Sequence, residues 1–218
     1  MLLVFGDSYS QDEGIEKNQQ WFKHLSKLLY NDSLKCKSYA RGGASNTSIV
    51  KQIYSHIYNH PDVRHIVINL TYLHRFRFYG NDYQPSMDSN IADVMYNRLT
   101  KDGHKIDKNI VETFAHSFLL INDVIKHTEY GDLLVTLNGF LNWVTQQKVK
   151  VLIFDVDGSH RNWWLNEKFY CKEKRIQNYL RRYNNIDNSD VYSNHITLNE
   201  NLMFANDLYN EFKKMSYE

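Results

Sequence analysis

Apolar residues are laid out along the chain in two textures. Continuous runs stand at 1–6 (MLLVFG), 65–70 (HIVINL) and 149–154 (VKVLIF), the pattern of strands buried on both faces and so of a central parallel sheet. A weaker strand is predicted over 34–40. Between the runs the spacing changes to every third or fourth position. Trp21, Phe22, Leu25, Leu28 and Leu29 predict a helix over 19–30, and Ile49, Ile53 and Ile57 predict another, capped by Ser45 or Asn46 after the break at Gly42-Gly43. Helices are also expected over 108–128 and 131–147, separated at Gly131, in a basic piece near 172–182, and over 197–215 at the end. Turn formers Gly80, Asn81, Pro85 and Ser86 make 71–105 a long loop with one helical turn near 90–99, and 156–195 reads as a second irregular stretch.

Strands alternating with helices, without an internal repeat or a Pro/Gly/Ser linker, predict one domain over 1–218. Its expected fold class is α/β: a three-layer α/β/α sandwich with a central parallel sheet, flavodoxin-like in architecture. In such sheets ligands sit beyond the carboxyl ends of the strands. Gly6-Asp7-Ser8, Gly42-Gly43, Thr71 and Asp155 all fall at that edge.

Composition removes several classes of function. With 42% hydrophobic and 23% charged residues among 218, the chain can bury a sizeable core. A net charge of +1 offers no field to hold a polyanion, so no nucleic-acid partner is expected. No window approaches the roughly 18 apolar residues that cross a bilayer, so no membrane partner is expected either. Cys36 and Cys171 lack paired spacing and read as free thiols, not a disulfide scaffold or a metal site. The start has no basic region and too short an apolar run for a secretion signal, which points to the cytoplasm. Abundant Asn, Tyr, Lys and Ile are the bias of AT-rich coding genomes such as those of many phages. The compartment would then be a host cell, or a virion. Nothing in the pattern specifies an oligomeric state.

Ser8 follows the first strand and precedes a helix, where a hydroxyl can be presented beside backbone N–H groups. An isolated Gly-Asp-Ser is also an ordinary strand-end turn with Asp and Ser as local caps. Its company tips the balance. VFGDSYS at the start, ARGGASNTSI in a second block, a polar residue after the third strand and His195 before the last helix together resemble the SGNH/GDSL hydrolase family. The blocks are spread over nearly the whole chain. The resemblance implies an SGNH-type domain in which Ser8 is the nucleophile and His195 the base. Ser8 and Gly43 would supply oxyanion N–H groups. Two positions depart from the family pattern. Its third-block asparagine is replaced by Thr71, in a strand-T-x-x-x-R-F form with Arg75 and Phe76 that is similar to a variant in tailed-phage proteins. Thr71 would then donate its hydroxyl to the oxyanion. Tyr192 stands where the late Asp is usual, which leaves Asp190 as the candidate acid, with a Ser-His dyad or an inactive site as the alternatives.

The chemistry has its own logic. Serine needs an imidazole to take its proton, and the developing oxyanion needs donors fixed in advance. No cofactor or metal is called for. Asn46, Tyr72 and Arg75 are the candidate substrate contacts. The aromatic and basic side chains around 72–79 and 160–164 either line a sugar-binding cleft or pack on each other as a small satellite core. The expected function is cleavage of a small acyl ester, such as an O-acetyl group on carbohydrate. The alternative is a weak or inactive binding or structural module, for example on a phage particle. VLIFDVDGS also resembles the first motif of haloacid dehalogenase-like phosphatases. That motif opens its own fold, and too little chain follows Asp155 for the remaining blocks. Asp155 and Asp157 are therefore read as a strand end and a loop cap, and His195-Ile196-Thr197 also suits a helix start with Thr197 as cap.

Overall fold

The three apolar runs become neighbouring strands in a computed structural model that describes residues 1–7, 10, 20–71, 76–78, 81–83, 91–155 and 198–215. In chain order the elements are β1 (Leu2–Phe5), α1 (Trp21–Tyr30), β2 (Cys36–Ser38), α2 (Asn46–His56) and a short 3-10 turn (Ile57–Asn59). Then come β3 (His65–Leu70), β4 (Phe76–Phe78), β5 (Asn81–Tyr83), α3 (Ile91–Lys101), α4 (Lys108–Gln146), β6 (Lys150–Asp155) and α5 (Leu198–Lys214). One sheet has the order β2-β1-β3-β6, every pairing parallel. Leu3 lies opposite Lys37 and Ile66, and Val67 lies opposite Leu152.

Parallel neighbours need long crossovers, and each crossover here carries a helix that covers a face. Alternate residues along a strand point to opposite faces. Leu3 and Phe5 of β1 accordingly join Ile66 and Ile68 of β3 and Val151 and Ile153 of β6 against Ile49 and Ile53 of α2 and Leu137, Phe140 and Leu141 of α4. Leu2 and Val4, with Val67, Leu152 and Phe154, face the other way onto Trp21 and Leu25 of α1 and Phe204, Leu208 and Phe212 of α5. The α/β sandwich of three layers is therefore the observed architecture.

Helix ends are tied by tertiary partners as well as local ones. Ser45, not Asn46, caps α2, its hydroxyl accepting from Ser48 N–H at 3.3 Å. Gln20 offers α1 no side-chain cap, and the Trp21 N–H donates instead to Asn201 Oδ1 of α5 at 2.8 Å. That bond sits beside an edge-on Trp21–Phe204 ring contact at 5.2 Å, so the two helices are joined by both polar and apolar contacts.

Three expectations need correction. The helices at 108–128 and 131–147 are one helix of 39 residues that runs through Gly131. A glycine inside a helix costs only about 1 kcal/mol. Packing at both ends outweighs it: Val111 and Ala115 contact α3, while Leu137 to Val144 lie on the sheet. The long loop at 71–105 contains an antiparallel β4–β5 pair and a full helix, α3, in place of a single turn. The spacing of Ile91, Met95 and Leu99 already carried the signal for α3, and these residues form its packed face. The weaker strand narrows to Cys36–Ser38. The basic piece near 172–182 and the stretch at 156–195 lie outside the described residues.

The amino edge of the sheet holds a half-buried imidazole. His65 Nδ1 and Tyr30 Oη lie 2.7 Å apart, and the ring meets Phe212 edge-on at 4.8 Å. Burial first, then the Lys150 charge and the terminal amino group, push its pKa down to about 4 from 6.5. The unfolded chain thus takes up a proton between those values that the folded chain refuses. Stability is complete above the upper value and is lost as pH falls toward the lower, by up to about 3 kcal/mol. Urea unfolding across this range should show stability rising with pH, and His65→Phe should flatten the slope. An undiminished slope in that variant would place the proton uptake elsewhere.

Candidate active site

The chain leaves β1, makes β2 on one side, then returns past β1 to make β3 on the other. Crossovers that part in this way leave a crevice at the carboxyl ends of the two central strands, where open α/β sheets bind ligands. Gly6-Asp7 leaves β1 there and Thr71 leaves β3.

The loop after β2 is tied to the same place. Tyr39 N–H donates to the Val4 carbonyl at 2.8 Å and Arg41 N–H donates to the Gly6 carbonyl at 3.0 Å, which extends the β1–β2 ladder past the strands. Ala44 N–H then donates to the Arg41 carbonyl at 3.1 Å, closing a turn over Gly42-Gly43. Gly43 has φ +72, the left-handed region that only glycine enters cheaply, and its position is exposed. From below, the Tyr39 ring is held between Phe5 at 5.6 Å and His56 at 3.9 Å, with its hydroxyl 2.6 Å from His60 Nε2. Burial lowers the His60 pKa.

At that edge lies a buried polar cluster centred on Asp7, which has no solvent exposure. Asn69 Nδ2 donates to Asp7 Oδ1 at 3.0 Å, and Thr71 Oγ1 donates to Asp7 Oδ2 at 2.8 Å. Asn46, the first residue of α2, holds Thr71 by the main chain: its Nδ2 donates to the Thr71 carbonyl at 3.1 Å and its Oδ1 accepts the Thr71 N–H at 2.8 Å. One carboxylate and one amide thus bind the exit of β1, the exit of β3 and the start of α2. Buried polar groups are tolerated when they are paired, and these pair with each other. Two atoms nearby stand apart: among the described residues, Ser10 Oγ and Asn69 Oδ1 are buried with no hydrogen-bond partner.

Of the residues expected to form the site, Gly43, Thr71 and Asn46 are brought to one edge. Ser8, His195, Asp190, Tyr72 and Arg75 lie outside the described residues. Two of these residues have hydrogen-bond partners within the fold. The single hydroxyl proton of Thr71 is directed at Asp7, so an oxyanion would have to compete with a carboxylate for it. Asn46, expected to touch substrate, is buried, and its amide is engaged with the Thr71 backbone. Asp7 and Asn69 were not foreseen as partners. The available signal was Asn69 itself, an amide on the same side of β3 as Val67 in an otherwise apolar strand, because a fully buried amide needs a partner. Among the described residues no three His, Cys, Asp or Glu side chains gather as a cation site. Among them too, no helix is long and apolar enough to cross a membrane.

No family model matches the chain. No curated protein matches it. A solved structure, the psychrotrophic esterase EstA from a Pseudoalteromonas species inhibited by monoethylphosphonate, is similar over 98% of this chain and 96% of its own, at 10% identity and a TM-score of 0.47. At that distance the likeness decides neither the fold nor the chemistry of this chain, and both rest on its own residues.

The two glycines of the edge should fail differently when given a side chain. A Cβ on Gly6 would stand 2.7 Å from Ser10 Oγ and 2.9 Å from Asn69 Cβ, both buried, whereas a Cβ on Gly43 would meet nothing within 4 Å. Gly6→Ala should therefore destabilise by about 1–3 kcal/mol through overpacking. Gly43→Ala should cost only about 1 kcal/mol, from backbone strain. Urea midpoints compare them, and equal losses would refute the steric account of Gly6.

Proposed function

We propose that the chain is a serine hydrolase of the SGNH/GDSL type that cleaves a small acyl ester, such as an O-acetyl group on carbohydrate. The observation that carries this reading is the convergence of Gly6-Asp7, the Gly43 turn and Thr71 on one carboxyl edge at the point where the strand order reverses. Ser8 is the residue after Asp7. A hydroxyl there stands in the chain beside the segment whose carbonyl holds the Gly43 loop.

The reaction would run in two halves. His195 takes the Ser8 hydroxyl proton as Oγ attacks the acyl carbon, and the negative charge that forms on the carbonyl oxygen is received by the N–H groups of Ser8 and Gly43. Collapse breaks the ester C–O bond, and His195 passes its proton to the departing alcohol oxygen. Water, deprotonated by His195, then attacks the acyl-Ser8, which releases the carboxylic acid and returns the proton to Ser8. Each oxyanion donor contributes about 3 kcal/mol of barrier lowering. Thr71 joins them only by turning its hydroxyl away from Asp7. Asp190 orients the imidazole. Tyr72 and Arg75, which follow Thr71 in sequence, supply a stacking face and donors for a sugar.

The competing reading is a binding or structural module on the same fold. It is favoured by Tyr192 in the usual place of the acid and by the Thr71 proton directed at Asp7. Fluorophosphonate labelling with peptide mapping separates the two. A hydrolase should carry the adduct on Ser8, lose it in Ser8→Ala, and label at least about a thousandfold more slowly in His195→Ala. A chain that takes no label is the module. Asp190→Asn should cut hydrolysis of an aryl acetate by orders of magnitude with folding intact. Undiminished turnover would make Asp190 a bystander and leave a dyad.

A further inference from the structure

Asp7 has two oxygens, and each accepts from a different residue of one strand end: Asn69 Nδ2 at 3.0 Å and Thr71 Oγ1 at 2.8 Å. No solvent reaches it. It directly precedes Ser8, and through Thr71 it is linked to Asn46, the residue after the cap of α2, three positions beyond Gly43. The carboxylate thus joins the segment that carries the hydroxyl to the segment that carries the oxyanion N–H. Its neighbours leave it little freedom, because Gly6 behind it is so crowded that an added Cβ would stand 2.9 Å from Asn69 Cβ.

We propose that Asp7 is a positioning residue: its buried carboxylate pins the β1 exit to the β3 exit and thereby sets where Ser8 stands relative to Gly43. The proposal rests on the hydrolase reading above and adds to it a residue whose task is geometric. Asp7 transfers no proton and forms no bond to substrate. Misplacement of reacting groups by about 1 Å costs on the order of a hundredfold in rate, so a pin at the base of the nucleophile segment has a measurable effect without touching the reacting atoms.

Asn69 makes this role separable from a chemical one. Among the described residues its Oδ1 has no partner, so in Asp7→Asn the Asn69 amide can turn over and accept from the new Nδ2. The new Oδ1 still accepts from Thr71, and both ties survive without the charge. In Asp7→Ala both are lost.

The experiment measures the fluorophosphonate labelling rate of Ser8, together with kcat and KM on an aryl acetate across pH, for the full chain and its variants. Asp7→Ala should label about ten- to a hundredfold more slowly, with kcat lowered alike and KM nearly unchanged. Asp7→Asn should recover to within a few-fold of wild type with the same pH profile. If Asp7→Ala does not fold, Asn69→Leu removes one tie at a position flanked by apolar residues. It should slow labelling about tenfold at constant KM. Equal loss in Asp7→Ala and Asp7→Asn, or a pH profile altered in Asp7→Asn, overturns the positioning role in favour of a chemical one. Wild-type rates in both Asp7→Ala and Asn69→Leu overturn it outright. A wild-type chain that takes no label at Ser8 overturns the hydrolase reading itself, and the positioning role with it.

Discussion

Parallel pairing of β1 on both of its edges, with β2 on one side and β3 on the other, is the constraint from which the rest follows. A chain that leaves β1 to build one neighbour must come back past it to build the other, and each parallel step needs a covered crossover. The helices therefore divide between the two faces: α2 and α4 over one, α1 and α5 over the other. Strands buried on both faces have to be apolar throughout, and β1 is. The same reversal parts the loops at the carboxyl ends of β1 and β3, so an opening for chemistry arises from strand order before any particular side chain is considered.

The carboxyl edge between β1 and β3 gathers four buried polar residues joined by hydrogen bonds. Replacing the Asp7, Asn69 and Thr71 side chains together with apolar ones of similar size would cost little, since each buried hydrogen bond contributes only about 1 kcal/mol net; Asn46 differs, because its partner is the Thr71 main chain. Apolar contacts, however, are not directional. A carboxylate that accepts from two named donors and an amide that grips both main-chain groups of one residue fix direction and register at a place where the backbone has left the ladder. The local cost of close fit is visible in Gly6, where an added Cβ would crowd Ser10 and Asn69.

The opposite edge of the sheet is built from other materials. His65 is half-buried against Tyr30 and Phe212, and Lys150 Nζ donates to the Phe212 carbonyl near the end of α5 at 2.9 Å. Charge here serves a helix end, as cations near carboxyl termini do, and the imidazole is kept neutral by burial. Cys36 lies on the same sheet with its thiol pKa raised by burial, a poor nucleophile in that setting. Two edges of one sheet thus divide the work, one sealed by rings and the other left with loops, glycines and paired polar groups.

How much of this could be read beforehand depended on whether a feature is local. The runs at 1–6, 65–70 and 149–154 are local, and they became strands because an unbroken apolar stretch is stable only with both faces covered. The positions of Gly43 and Thr71 at one edge followed from the same alternation. The unity of α4 did not, because the cost of Gly131 is written in the sequence while the packing that outweighs it is supplied by α3 and the sheet. Asn46 shows the limit most clearly: beside a glycine turn it reads equally well as a helix cap or a substrate contact. Only its distance from Thr71, 25 positions away along the chain, made it a clamp. Asp7 likewise read as a turn residue until Asn69 and Thr71 met it. The sequence by itself determined the layers and the edge at which chemistry can occur, because hydrophobic periodicity is a property of neighbours in the chain. Tertiary structure alone decided which polar groups there are spent on each other, because a hydrogen bond depends on distances that only the folded chain sets.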